Sequence, residues 1–194
     1  MTTTIDGSAS ADFATPLPVA EGGTGASSAA AARTALGAGQ AIQLQTAVAT
    51  TSGTAFNFTS IPAGVKRINV MFNGVSTNGS SIVMIQLGDA GGIETSGYLS
   101  DGWTANTTNT ANTSGLVLAG SSGTTFERSG IATLCLISGY LWCYSYTGSA
   151  GSAGGAEVAG GKKTTSAELT QLRITTVNGS DVFDAGSVNI SWEF

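Results

Sequence analysis

The 194-residue chain contains no histidine, only seven lysines and arginines, three prolines and two cysteines. Without histidine it lacks the usual proton shuttle, the usual base for activating a nucleophile and the commonest metal ligand. Twelve Asp and Glu remain, and a carboxylate pair can cleave a glycosidic bond, so Asp89, Glu94, Asp101, Asp181 and Asp184 have to be weighed. Each sits in a turn-like context, where a carboxylate ordinarily bonds a nearby amide. The Asp181 to Asp184 spacing does not supply ligands at positions one, three and five of a glycine-containing calcium loop. No catalytic residue, no cofactor and no recognisable metal pattern follow from this inventory.

Charge is equally sparse. Charged residues make up 10% of the chain and the formal net charge is -5, so there is no electrostatic footprint for nucleic acid or an anionic membrane. A weakly charged surface suits subunit contacts, and oligomerisation is expected. No apolar run reaches membrane-spanning length. Met1-Thr2-Thr3-Thr4-Ile5-Asp6 lacks the positive and apolar regions of a secretory signal, so synthesis and folding in the cytoplasm are expected. Met1 suggests a complete short subunit. Cys135 and Cys143 read as reduced, buried thiols, with a cross-strand disulfide as the alternative. A two-residue loop at Ser138-Gly139 would put them on opposite faces, and a three-residue loop from Ser138 to Tyr140 would set them opposite each other.

What the chain does have is glycine (28 residues), with abundant serine and threonine, a composition that fits turn-rich β-structure. Residues 1–39 stand apart, with few large apolar side chains. Thr15-Pro16-Leu17-Pro18-Val19 reads as extended, because each proline fixes its own backbone and pushes its predecessor away from helix. Gly22-Gly23-Thr24-Gly25 makes a sharp turn, Ser27 or Ser28 is an N-cap, and Gly37 is a stop, which predicts a short helix over 28–36. The glycine turn lacks the Gly-Lys-Ser/Thr ending of a phosphate loop. A helix this short needs packing, either on its own chain's β-domain or on copies of itself through Ala29, Ala32 and Leu36.

Residues 40–194 carry an apolar period of two rather than 3.6, in short runs parted by Gly, Asn, Ser and Thr. Ile42 to Val48, Ile68 to Phe72, Leu169 to Val177 and Val188 to Phe194 read as strands with one inward face. Ser81 to Leu87 and Ile131 to Ile137 are apolar on both faces, which predicts cover from the opposing sheet and from a neighbouring subunit. With short strands at Gly115 to Ala119 and Gly155 to Val158, the total of roughly eight to ten predicts a mainly β chain. The expected form is an antiparallel, jelly-roll-like β-sandwich.

Carbohydrate recognition needs a flat apolar face for the sugar ring and amides or carboxylates for its hydroxyls. Tyr98, Asp101, Trp103, Asn106, Asn109 and Asn112 supply both within a Thr- and Asn-rich stretch expected to be a long loop, and are the candidate ligand-binding residues. The competing expectation is that Tyr98 and Trp103 pack against a sheet edge. Trp142, Tyr144 and Tyr146 share one face of a strand and read as packing.

Two segments resemble bacteriophage tail-fibre proteins. Leu17-Pro18-Val19-Ala20-Glu21-Gly22-Gly23-Thr24-Gly25-Ala26, followed by Ala30 to Gly37 with its Ala-Arg-Thr-Ala-Leu-Gly ending, is similar to a tail-fibre element in which a GGTGA turn leads into an alanine-rich helix. Phe56 to Pro62, Lys66 to Gly79, Thr175 to Gly179 and Phe183 to Ile190 are similar to the C-terminal receptor-binding domain of such fibres. The resemblance implies a homotrimer in a virion tail, docked to other tail or baseplate proteins through residues 1–39. It also implies a distal β-sandwich that contacts lipopolysaccharide or another bacterial surface polysaccharide. No binding residue carries over, because Gly102 to Asn112 is where the likeness is weakest.

Overall fold

A computed structural model describes residues 23–38, 42–105, 109–151 and 155–194. The Thr15 to Val19 segment and Asn106 lie outside the described residues. The chain divides into two compact units, Met1–Ala41 and Ile42–Phe194.

In the first unit, helix α1 spans Ala29–Ala35. Ser28 caps it, its Oγ accepting from the Ala31 amide at 3.2 Å. Gly37, at φ 64°, takes the left-handed turn that ends it. The Gly37 and Ala38 amides then bond back to the carbonyls of Thr34 and Arg33, which is the 5→2 and 6→1 pattern of a Schellman stop. Seven residues make a marginal helix. None of its residues is buried.

The second unit is all β among its described elements, and every strand pair is antiparallel. The strands are β1 (Gln43–Leu44), β2 (Val48–Ala49), β3 (Ala55–Phe58), β4 (Arg67–Thr77), β5 (Val83–Asp89), β6 (Gly92–Ile93) and β7 (Tyr98–Thr104). They continue with β8 (Thr110–Asn112), β9 (Leu116–Val117), β10 (Arg128–Ser138), β11 (Leu141–Ser149), β12 (Ala156–Thr164), β13 (Gln171–Thr176) and β14 (Phe183–Glu193). The larger sheet runs β1-β14-β4-β10-β11-β12-β7-β8 with β2 on β14, and the smaller runs β3-β13-β5-β6 with β9 on β5. Among the described residues no helix is long and apolar enough to cross a membrane.

Period-two patterning builds the core. Ile68, Val70 and Phe72 of β4, Leu134 of β10 and Ile190 of β14 join Phe58, Ile85, Leu87, Leu172 and Ile174 of the smaller sheet in one apolar cluster. Trp142, Tyr144 and Tyr146 also face this cluster, as the packing reading expects. β5 is buried along its whole length. Part of the cover over its second face comes from its own chain, where Gln86 Nε2 donates to the Ser114 carbonyl at 2.9 Å. Ile131 and Ile137 of β10 are exposed.

The two cysteines are directly opposite on β10 and β11, unpaired and half-buried. The connection is the two-residue Gly139-Tyr140, and a register shift between Leu136 and Ser138 restores the Cys135 to Cys143 pairing. Neither loop expected from the sequence included that bulge.

Candidate functional site

The stretch expected to be a long loop is largely a hairpin edge, because β7 and β8 pair through Ser100, Asp101 and Gly102. Strand alternation then separates the candidate residues. Tyr98, Ser100, Gly102 and Thr104 point inward, while Leu99, Asp101 and Trp103 point outward from the larger sheet.

Tyr98 is 1% exposed and does not reach the outer surface. Its hydroxyl accepts from the Leu87 amide at 2.7 Å and lies 2.8 Å from the Glu94 carbonyl, tying β7 to the smaller sheet. Burial pushes this phenol well above the usual tyrosine range. Lys163 Nζ lies 5.0 Å from the ring centroid and 2.5 Å from Glu94 Oε2. Tyr98 is thus an inter-sheet tie rather than a ligand contact.

Trp103 is 42% exposed. β12 runs beside β7 so that Val158 faces Trp103, Gly160 faces Asp101 and Lys162 faces Leu99. On the other side Ala111 of β8 faces Asp101, and Asn109 Nδ2 donates to Asp101 Oδ2 at 2.9 Å. Two shallow depressions of about 250 and 340 Å³ adjoin here, and Asp101 and Gly160 line both. The trough dips where Gly160 has no side chain at its centre. A Cβ there would meet only the Tyr144 carbonyl oxygen, at 3.8 Å. Its apolar sides are Trp103, Val158 and Leu99, and its polar element is the Asp101–Asn109 couple.

The inner face beneath is held by a buried ion pair, Arg128 Nε to Glu157 Oε2 at 3.3 Å. Arg128 also donates to the Ser121 carbonyl and Ser122 Oγ. Burial raises the Glu157 carboxyl above its ordinary value, with Arg128 and Thr104 opposing. Because Glu157 pairs with Thr104, one step along from Trp103, this contact fixes the strands that carry the trough.

The other residues singled out in the sequence hold turns and connections. Asn112 Oδ1 accepts from the Ser114 and Gly115 amides. Asp89 accepts from the Gly91 amide and from Ser166 Oγ, Asp181 from the Ser81 amide and Asn178, and Asp184 from Ser76 Oγ. Sequence reasoning missed Leu99, Val158 and Gly160. The signal for Leu99 was its i−2 and i−4 relation to Asp101 and Trp103 on a strand. Val158 and Gly160 join the site only through pairing of distant segments.

No family model, no curated protein and no solved structure matches the chain.

Proposed function

We propose that the chain is a tail-fibre or spike subunit of a phage or phage-like particle, and that it attaches the particle to a bacterial surface glycan such as lipopolysaccharide. The observation that carries this reading is the trough: an exposed Trp103 and Val158 beside a glycine floor, with the Asp101–Asn109 couple available for sugar hydroxyls. The resemblance of Leu17 to Gly37 and of the C-terminal segments to tail fibres supplies the particle.

In this reading the sandwich is jelly-roll-like, three chains associate, and α1 packs against its copies through Ala29, Ala32 and Leu36. Leu36 is exposed within the chain, which supports such packing. Residues 1–39 dock to other tail or baseplate proteins. No catalytic step is involved: a shallow, weak site gains avidity by repetition around the particle.

A purely structural fibre component is the second reading, favoured by the exposed Ile131, Val158 and Leu99 on the outer face of the larger sheet, which suit subunit contacts. Adsorption of labelled protein to bacterial cells, with soluble lipopolysaccharide as competitor, separates the two. The attachment reading predicts competed adsorption, and uncompeted or absent adsorption across a broad strain panel favours the structural one.

A further inference from the structure

The smaller sheet carries a second concave site on its outer face. β13 is its central strand here. In register across the sheet, Arg173 lies between Asn57 of β3 and Gln86 of β5, and in the next outward row Thr175 lies between Ala55 and Met84. The segment 176–179, Thr54, Thr95 and Ser114 also line this open cleft of about 390 Å³. That volume is within the ~300–1,000 Å³ usual for small-ligand sites.

Its electrostatics are one-sided. Among the described residues Arg173 is the only charged side chain lining the cleft. The ion pairs found among the described residues are Arg67–Glu193, Arg128–Glu157 and Lys163–Glu94, so Arg173 has no carboxylate partner there. Its Nε donates to the neutral Asn57 Oδ1 at 2.9 Å, which fixes the guanidinium and leaves the fork of two terminal nitrogens. Asp181, next to the 176–179 wall, is already engaged by the Ser81 amide at 2.8 Å and Asn178 Nδ2 at 2.6 Å.

A held guanidinium fork in a neutral concave site is complementary to a planar carboxylate. The remaining lining matches a polyhydroxylated ring. The Thr175 hydroxyl donates to the Thr54 carbonyl at 2.9 Å and keeps lone pairs for a ligand hydroxyl. Gln86, 4% exposed, spends one amide N–H on the Ser114 carbonyl and forms part of the cleft floor. Ala55 and Val177 give apolar contact for ring carbons, with the buried Met84 beneath them. A simple inorganic anion would use Arg173 alone and leave the rest of the cleft unfilled.

We propose that this cleft is a separate binding site for a sugar acid, a uronic or ulosonic acid unit, with its carboxylate on Arg173. The site stands independently of the Trp103 trough. The test is a titration of the isotope-labelled full chain, followed by NMR, with glucuronate, glucose, acetate and inorganic phosphate in parallel. Glucuronate is expected to shift the amides of Thr54, Ser114, Thr176 and Gly179 and the Gln86 side chain, and to leave the Trp103 indole unmoved. Glucose, acetate and phosphate are each expected to bind about tenfold more weakly or worse, since each lacks either the charge or the ring. Arg173→Gln should reduce glucuronate affinity at these signals about tenfold or more. The proposal is overturned if glucuronate shifts none of these signals, if glucose, acetate or phosphate binds as well, or if a folded Arg173→Gln binds glucuronate normally.

Discussion

Tyr98 and Trp103 lie five residues apart on one strand and do opposite things, because an odd separation in a β-strand reverses the face. Tyr98→Phe removes the acceptor of the buried Leu87 amide, so it should cost about 1–3 kcal/mol in a denaturant titration and leave glycan binding intact. Trp103→Ala should do the reverse, with cell adsorption falling about tenfold and Tm nearly unchanged, as expected for a partly exposed aromatic anchor. The acidic residues make a further prediction. The hydrogen bond from Ser166, then that from the Gly91 amide, hold Asp89 below its ordinary carboxyl value of 3.8. The folded state therefore binds fewer protons than the unfolded one in that window. This stabilisation is fully present above pH ~4 and is lost as pH falls through the folded value. Glu157, raised by burial, titrates with the opposite sign, so the difference between variants is the quantity to follow. Asp89→Asn should show a shallower loss of stability on acidification than the wild type, measured by unfolding at stepped pH.

At the scale of elements, the trough exists because β12 places Gly160 opposite Asp101. Gly160→Val would fill the floor with little to collide with, and valine suits a strand better than glycine. Binding should be lost while Tm holds or rises slightly, an outcome readable by pairing thermal unfolding with adsorption. Little of this was legible in the chain. The strands around Ile68, Ile174 and Ile190 announced themselves by alternation. β12 was legible only as a short run ending at Val158, since Gly160, Gly161, Lys162 and Lys163 have weak strand preference and are held there by β11 and β7 on either side. The bulge that brings Cys135 opposite Cys143 was hidden too, because an extra residue in a ladder leaves no mark on an apolar pattern. Asp101, Trp103 and Asn109 could be named from composition, but their shared floor depends on a partner more than fifty residues away. The helix was legible to its caps, since Ser28 and Gly37 act through bonds to their own neighbours.

For the whole molecule, α1 is too short to stand without packing, none of its residues is buried, and the outer face of the larger sheet keeps Ile131, Leu99 and Val158 exposed. The proposed trimer would account for the first of these, and predicts a native mass by light scattering of three times the 19.2 kDa chain. A chain beginning at Ile42 should lose that mass if α1 supplies the contact. Attachment makes the stricter demand. The most direct test exposes wild type, Trp103→Ala and Gly160→Val to an immobilised array of bacterial lipopolysaccharides and capsular polysaccharides. The account predicts that wild type binds at least one glycan class and that both folded variants lose it. Wild type binding none of them, or variants binding as well as wild type, would contradict it.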